Sequence, residues 1–336
     1  MGLAVAVIGA GISGLACANN LRQQGFDIKV FEKSRGVGGR IATRRADLYG
    51  FDHGAQYFTV RSDPFHHFIE PLIKEGLVAE WSGRLATFEY GVFEEIPNQP
   101  TRYVGVPTMN TIAKYLAKDL PVLTNTHITK VAKNGSQWIL FEESGHKFEG
   151  FDILVLAIPP FQASLLIDDF ATDLATKISK VKMLPCWALM LAYENRLKVP
   201  FDGLFVNQSK ISWVARNSSK PERSGECWVV HASASWSEKE LEKPKDIVYE
   251  QLMEVFNLIL ASSHIPLQTP LFSQTHRWRY AIPSEVLPDS SLFDESLNIG
   301  LCGDWCAGPR VEGAYLSGVA LSNHIAAKSA RNGISV

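Results

Sequence analysis

Val5-Ala6-Val7-Ile8-Gly9-Ala10-Gly11-Ile12-Ser13-Gly14-Leu15 stands at the start of the chain and decides the fold class. Val5, Ala6, Val7 and Ile8 form a continuous apolar run, which reads as a strand buried on both faces, as in a parallel sheet. A glycine turn follows, then residues 15–21 with helical spacing, stopped at Gly25. Ile28-Lys29-Val30-Phe31-Glu32 is the next strand, so the segment is one βαβ unit around a GxGxxG loop. Gly9 permits the tight turn, Gly11 lets the backbone approach a pyrophosphate, and Gly14 lets helix and strand pack closely. The helix start offers free N–H groups and a positive dipole end to phosphates. Glu32 is placed to accept hydrogen bonds from ribose hydroxyls. The loop alone is a weak signal; the strand before it, the helix after it and the acid beyond point to a dinucleotide.

The next stretch, Lys33-Ser34-Arg35-Gly36-Val37-Gly38-Gly39-Arg40, is a second glycine-rich loop carrying three cations. It brings further N–H donors and a guanidinium toward the pyrophosphate, which a plain NAD dehydrogenase does not need.

Further out, 336 residues suggest about two domains at roughly 150 residues each. Thirty-three Lys+Arg against 35 Asp+Glu leave a net charge of −2, too little cation excess to grip a nucleic-acid backbone. Cys17, Cys186, Cys227, Cys302 and Cys306 are odd in number and irregular in spacing, so they read as free thiols in a reducing compartment. The apolar start lacks a basic segment and is broken by glycines, so it does not read as a signal peptide. No apolar run approaches the ~18–20 residues that span a bilayer. A soluble, cytoplasmic protein is expected, with no membrane or nucleic-acid partner.

Parallel-sheet material recurs at residues 153–158, stopped by Pro159-Pro160, and at residues 297–302. Thr108 is placed to cap a helix running to Leu120, with Met109, Ile112, Ala113 and Leu116 on one face. Asn134-Gly135 reads as a hairpin turn. Residues 161–291 alternate in short strands at 187–193, 211–215 and 228–232, with an amphipathic helix over 246–260. The predicted fold class is therefore α/β: a Rossmann-like domain from residues 1–60, 105–160 and 292–336, with an inserted domain from 61–104 and 161–291 built on an antiparallel sheet. Sites in such folds lie at the carboxyl ends of the parallel strands.

The segments from Val7 to Leu15, Glu32-Lys33 and Gly38-Gly39-Arg40 resemble the FAD-binding start of the flavin amine oxidase superfamily. Asp52-His53-Gly54-Ala55-Gln56-Tyr57-Phe58-Thr59 and His276-Arg277-Trp278-Arg279-Tyr280-Ala281 resemble segments of its renalase branch. Gly105-Val106-Pro107-Thr108-Met109 is similar to a loop before a helix in the same fold. Gly303-Asp304-Trp305-Cys306 and the run from Arg310 to Gly318 resemble the closing FAD motif. The resemblance runs from end to end and is greatest toward bacterial renalase-type proteins.

It implies noncovalent FAD held by Gly9, Gly11, Ile12, Ser13, Gly14, Glu32, Lys33, Gly39, Arg40, Ala55, Gln56, Val131, Asp304, Gly313, Ala314 and Ser317. Asp304 is expected to accept a cofactor hydroxyl. Gly313, Ala314, Ser317 and Gly318 form a small face that lets a helix approach a flat ring, its positive end toward the pyrimidine edge. Tyr57, Phe58, Trp187, Trp278 and Trp305 are expected to wall an aromatic slot, with Thr59 and Arg61 contacting a nucleotide substrate. The implied activity is oxidation of 2- and 6-dihydro isomers of NAD(P)H to NAD(P)+, by hydride transfer to flavin N5 and reoxidation by O2 to hydrogen peroxide. Such chemistry is the cofactor's and requires no acid–base dyad, so no catalytic side chain and no metal is expected. The rival readings are an amine oxidase or desaturase on the same fold and a non-catalytic FAD-binding redox sensor. His53 reads as a packed, hydrogen-bonded histidine rather than a pH sensor.

Overall fold

The structure is a computed structural model and describes residues 2–97 and 99–331. Strands Ala4–Ile8, Asp27–Phe31, Ile153–Leu156 and Ile299–Leu301 pair in parallel, with Val122–Leu123 parallel at one edge and Leu292–Asp294 antiparallel at the other. Their order is Leu292–Asp294, Ile299–Leu301, Ile153–Leu156, Ala4–Ile8, Asp27–Phe31, Val122–Leu123. The α/β class is as expected: the start, middle and end of the chain meet in one sheet. The continuous apolar runs follow from burial on both faces, since Val5, Val7 and Val155 enter one core while Ala6, Ile8 and Leu154 enter another.

A seven-stranded sheet stands beside it, in the order Phe272–Pro283, Met183–Tyr193, Glu226–Ala232, Ile211–Arg216, Gly203–Val206, Leu85–Glu89, Val92–Glu95. All its pairs are antiparallel except Gly203–Val206 with Leu85–Glu89. Helix Lys245–Ser262 covers one face with Val248, Leu252, Phe256 and Ile259.

Two local readings change. The helix expected from Thr108 begins at Thr111 and ends at Ala117, because the Thr108 hydroxyl bonds Asn110 Oδ1 at 2.7 Å instead of capping an N–H. The hairpin turn is Gly135-Ser136, with Asn134 still paired to Gln137.

The parallel strands place their following residues along one edge. Gly9 follows the first strand, Glu32 the second, Ala157 the third, and Cys302-Gly303-Asp304 the fourth. No described helix is long and apolar enough to cross a membrane.

Candidate cofactor and substrate site

Gly9 adopts a φ of 106°, open to glycine at low cost, and its N–H donates to Phe31 O at 2.8 Å. A Cβ at Gly14 would collide with the Gly9 carbonyl and lie 2.9 Å from Ala157 Cβ, so helix Ile12–Gln23 sits hard on the sheet. A Cβ at Gly11 would meet nothing within 4 Å. Ser13, beside it, has a buried hydroxyl with no hydrogen-bond partner. An open cradle, an orphaned hydroxyl and a helix N-terminus together fit a pyrophosphate. Glu32 is buried and accepts from Ala10 N (2.9 Å) and Ser34 N (2.8 Å), so it braces both ends of the loop and keeps lone pairs for a ribose.

The second glycine loop lies against the first. Gly38 N donates to Ala10 O at 2.8 Å, and a Cβ at Gly39 would approach Gly11 Cα at 3.5 Å. Lys33 and Arg35 are exposed. Arg40 makes a bidentate pair with Asp304 at 2.6 and 2.8 Å and also donates to Ala281 O at 3.0 Å. Asp304, expected to meet a cofactor hydroxyl, therefore carries a guanidinium on both oxygens. Ala55 N donates to Arg40 O at 2.9 Å, which brings segment 54–57 to the same place.

The closing helix Val311–Arg331 packs its small residues against protein. A Cβ at Gly318 would strike Ser13 O in the first helix, and one at Gly313 would strike Gly308 O. Ser317 is buried and its hydroxyl accepts from Gly303 N at 3.0 Å. Ala314 is half-buried. Glu312, buried at the start of this helix, accepts from Arg61 N, Ser62 N and Ser62 Oγ, tying segment 59–62 to the helix. The Arg61 side chain stays exposed beside Thr59 Oγ1. Val131 is buried in the core by its side chain and paired to Leu140 by its backbone.

The aromatic slot is not assembled as expected. Trp187 lies in the core of the seven-stranded sheet, 1% exposed, its indole N–H donating to Glu240 O. Trp305, also 1% exposed, belongs to the core beneath the parallel sheet. Phe58 is buried against Phe65 and Tyr103. A large aromatic satisfies burial first, and these three sit where the cores need volume. Tyr57 and Trp278 remain. Tyr57 packs with Trp81 and Trp213, whose indole N–H is buried without an acceptor, and Arg102 lies over the Tyr57 ring at 4.8 Å. Trp278 abuts His53 and donates to its carbonyl at 3.0 Å.

Sequence reasoning missed what stands behind segment 52–56. Lys220 and Arg223 converge on Asp52, and Lys220 Nζ also reaches Gln56 Oε1 and Asn217 Oδ1, both at 3.1 Å. Gln56 Nε2 donates to Asp52 O. His231 adds a second donor to the His53 carbonyl at 3.0 Å. His53 is buried and hydrogen-bonded to Ala42 O at 3.1 Å, a packed histidine as expected. Burial, then His276 and Arg44, push His53 down to about 3; burial pushes His231 and His276 down to about 4. Lys220 and Arg223 stand in a polar run that reads as solvated loop. The one available signal was Asp52, an acid amid Phe51 and His53 that needs a cation if buried.

Residues 68–326 match the family described as flavin containing amine oxidoreductase, and residues 7–72 match an NAD(P)-binding Rossmann-like domain. The chain belongs to the flavin-containing amine oxidoreductase family. Two curated relatives match over a short stretch only. The zeta-carotene-forming phytoene desaturase of Myxococcus xanthus is 47% identical over 53 residues, 16% of this chain and 10% of that protein. The 4,4'-diapophytoene desaturase (4,4'-diaponeurosporene-forming) of Staphylococcus aureus is 46% identical over 50 residues, 15% of this chain and 10% of that protein. Among solved structures, cyclohexylamine oxidase from Brevibacterium oxydans superposes with a TM-score of 0.77 at 14% identity, covering 98% of this chain and 100% of that one. A putrescine oxidase bound to putrescine gives 0.71 at 14% identity, covering 97% and 99%. At those identities the likeness is one of fold.

Membership of that family gives FAD as the cofactor, and noncovalent binding is typical of it. Cys306 is buried and burial, then Cys302, raise its thiol pKa, which disfavours the thiolate that a flavin bond would need.

Proposed function

We propose that the protein oxidises 2- and 6-dihydro isomers of NAD(P)H. The overall reaction is dihydro-NAD(P) plus O2 plus one proton, giving NAD(P)+ and hydrogen peroxide. Bound FAD supplies the two-electron acceptor. In this reading Gly9, Gly11, Ile12, Ser13, Gly14, Glu32, Lys33, Gly39 and Arg40 hold its dinucleotide half, with Val131 offering backbone at the adenine end. Segment 54–57 and residues 304–317 border its ring, Asp304 and Ala314 among them, with Gly313 and Ser317 packed behind as support. Residues 1–60, 105–160 and 292–336 form the cofactor domain, 61–104 and 161–291 the substrate domain. The free thiols favour a reducing, cytoplasmic setting.

One observation carries the choice of substrate. The aromatic group at Tyr57 already has a protein cation against it, Arg102 at 4.8 Å from the ring, and Lys220 lies 5.9 Å from the Trp81 ring. A protonated amine entering there meets like charge, whereas a neutral dihydropyridine with anionic phosphates meets attraction. Tyr57 and Trp278 orient the nicotinamide, and Thr59 and the exposed Arg61 meet the phosphates. The reacting carbon must sit about 3–3.5 Å from its acceptor, so registering ring position 2 or 6 leaves position 4 displaced.

The test is anaerobic bleaching of the flavin by a donor panel. Rapid bleaching is expected from 2- or 6-dihydro-NAD(P), with 4-dihydro-NAD(P)H and simple amines far slower. Faster reduction by any amine would overturn the reading. Arg61→Ala should raise the donor concentration needed while changing the limiting rate less.

A further inference from the structure

Segment 52–56 is backed by a buried charge cluster that does not balance. The side chains of Asp52 and Lys220 are fully buried and that of Arg223 is 4% exposed. Asp52 Oδ2 meets Lys220 at 3.3 Å and Arg223 at 2.8 Å. Its Oδ1 accepts from Thr43 Oγ1 at 2.7 Å and Met109 N at 3.1 Å. One saturated carboxylate thus faces two cations. Among the described residues no other carboxylate pairs with either; the nearby Glu226 is 3.3 Å from Arg216. Burial opposes ionisation of Asp52, but Lys220, Arg223 and Thr43 outweigh it and hold its carboxyl below the ordinary value. Burial pushes Lys220 down to about 8 against the pull of Asp52, which leaves it charged at neutral pH. The adjacent imidazoles of His53, His231 and His276 are neutral there and add no charge. The cluster therefore carries one net positive charge away from water.

A buried net charge is costly unless something of opposite sign uses it. Lys220 touches Gln56, whose amide is fixed at both ends, by Lys220 at Oε1 and by the Asp52 carbonyl at Nε2. Residues 54–57 are those read above as bordering the cofactor ring.

We propose that Lys220 is a positioning residue that, with Arg223, places uncompensated positive charge behind the flavin ring and makes the bound flavin easier to reduce. The inference rests on the proposed location of the ring at residues 54–57. A ring gaining two electrons gains negative charge, and a nearby cation in a low-dielectric setting stabilises the reduced form selectively. Gln56, held by Lys220, keeps the segment at a constant distance from that charge.

The experiment is a reduction-potential titration of the FAD-loaded protein at neutral pH, for wild type, Lys220→Met, Arg223→Gln and the charge-keeping Lys220→Arg and Arg223→Lys. Both cation removals are expected to disfavour reduction at least tenfold, about 30 mV for a two-electron couple. The charge-keeping variants are expected to stay at the wild-type potential. That contrast distinguishes charge from packing, since a packing defect moves both replacements at a position together. Should the Lys220 variants fail to fold, Arg223→Gln against Arg223→Lys still decides. A wild-type potential in the folded cation-removal variants, or charge-keeping variants that shift as far as they do, overturns the proposal. The donor panel is read separately: potentials that shift as expected with no dihydronicotinamide activity sink the substrate reading alone, and the converse sinks this one alone.

Discussion

The phosphate loop and segment 52–56 are both held rigidly, by opposite means. The loop closes on its own neighbourhood: Glu32 reaches back 22 residues to Ala10 and forward two to Ser34, and Gly9 bonds Phe31. Segment 52–56 depends on the far sheet, with partners from 164 residues away (Gln56 to Lys220) to 225 (His53 to Trp278). Local closure is cheap in chain entropy and leaves a motif. Distant closure happens only once both sheets are built, and the partners it brings in are not written beside the segment in the sequence.

The largest effects break the loop in two distinct ways. Gly14→Val should yield no soluble folded protein, because its side chain meets the Gly9 carbonyl in a packed interface. Gly11→Val should fold normally by circular dichroism and yet emerge colourless, because its side chain enters open space reserved for the pyrophosphate. A yellow Gly11→Val protein would show that the cradle lies elsewhere.

Next is the far-sheet network. Asp52→Ala leaves Lys220 and Arg223 buried without their carboxylate, an expected loss of about 3–5 kcal/mol in urea unfolding. A loss under ~1 kcal/mol would mean that the loop alone organises the site.

Asp304→Ala is intermediate, since Asp304 joins the second glycine loop to the closing segment through Arg40, whose side chain is 32% exposed. FAD affinity should fall by roughly ten- to a hundredfold, the ~1.5–3 kcal/mol of a charged hydrogen bond, while the reduction rate per bound flavin changes less. Flavin fluorescence titration checks the first and stopped flow the second.

The smallest effect near neutrality is pH dependence. His53, His231 and His276 have folded pKa values of about 3, 4 and 4, below the ordinary 6.5. Below pH 6.5 the unfolded chain therefore binds more protons than the folded one, and stability is lost as pH falls toward 4. Above pH 6.5 the three contribute no slope. His276→Gln should flatten the acid limb of the denaturation midpoint; an unchanged limb would exclude His276 as a contributor.

How much was legible follows the same division. Strands such as Ile153–Leu156 and Ile299–Leu301 were readable because burial on both faces writes itself as an unbroken apolar run. The phosphate loop was readable because each glycine answers a local steric demand. Trp187 and Trp305 pass for slot walls in the sequence because an aromatic looks the same in a core as at a site; only packing shows that both fill cores. The Thr108 hydroxyl chose Asn110 over the helix, a competition between two short-range partners that spacing does not resolve.

By itself the sequence determined the α/β class, the dinucleotide loop and the family resemblance, since each rests on side chains within one turn, strand or motif. Tertiary structure decided that Asp304 pairs with Arg40, that Ser317 serves Gly303, and that Lys220 and Arg223 stand behind Asp52. The physical reason is charge and burial: a carboxylate's partner depends on which distant cation folding brings beside it out of water, and no local pattern carries that information.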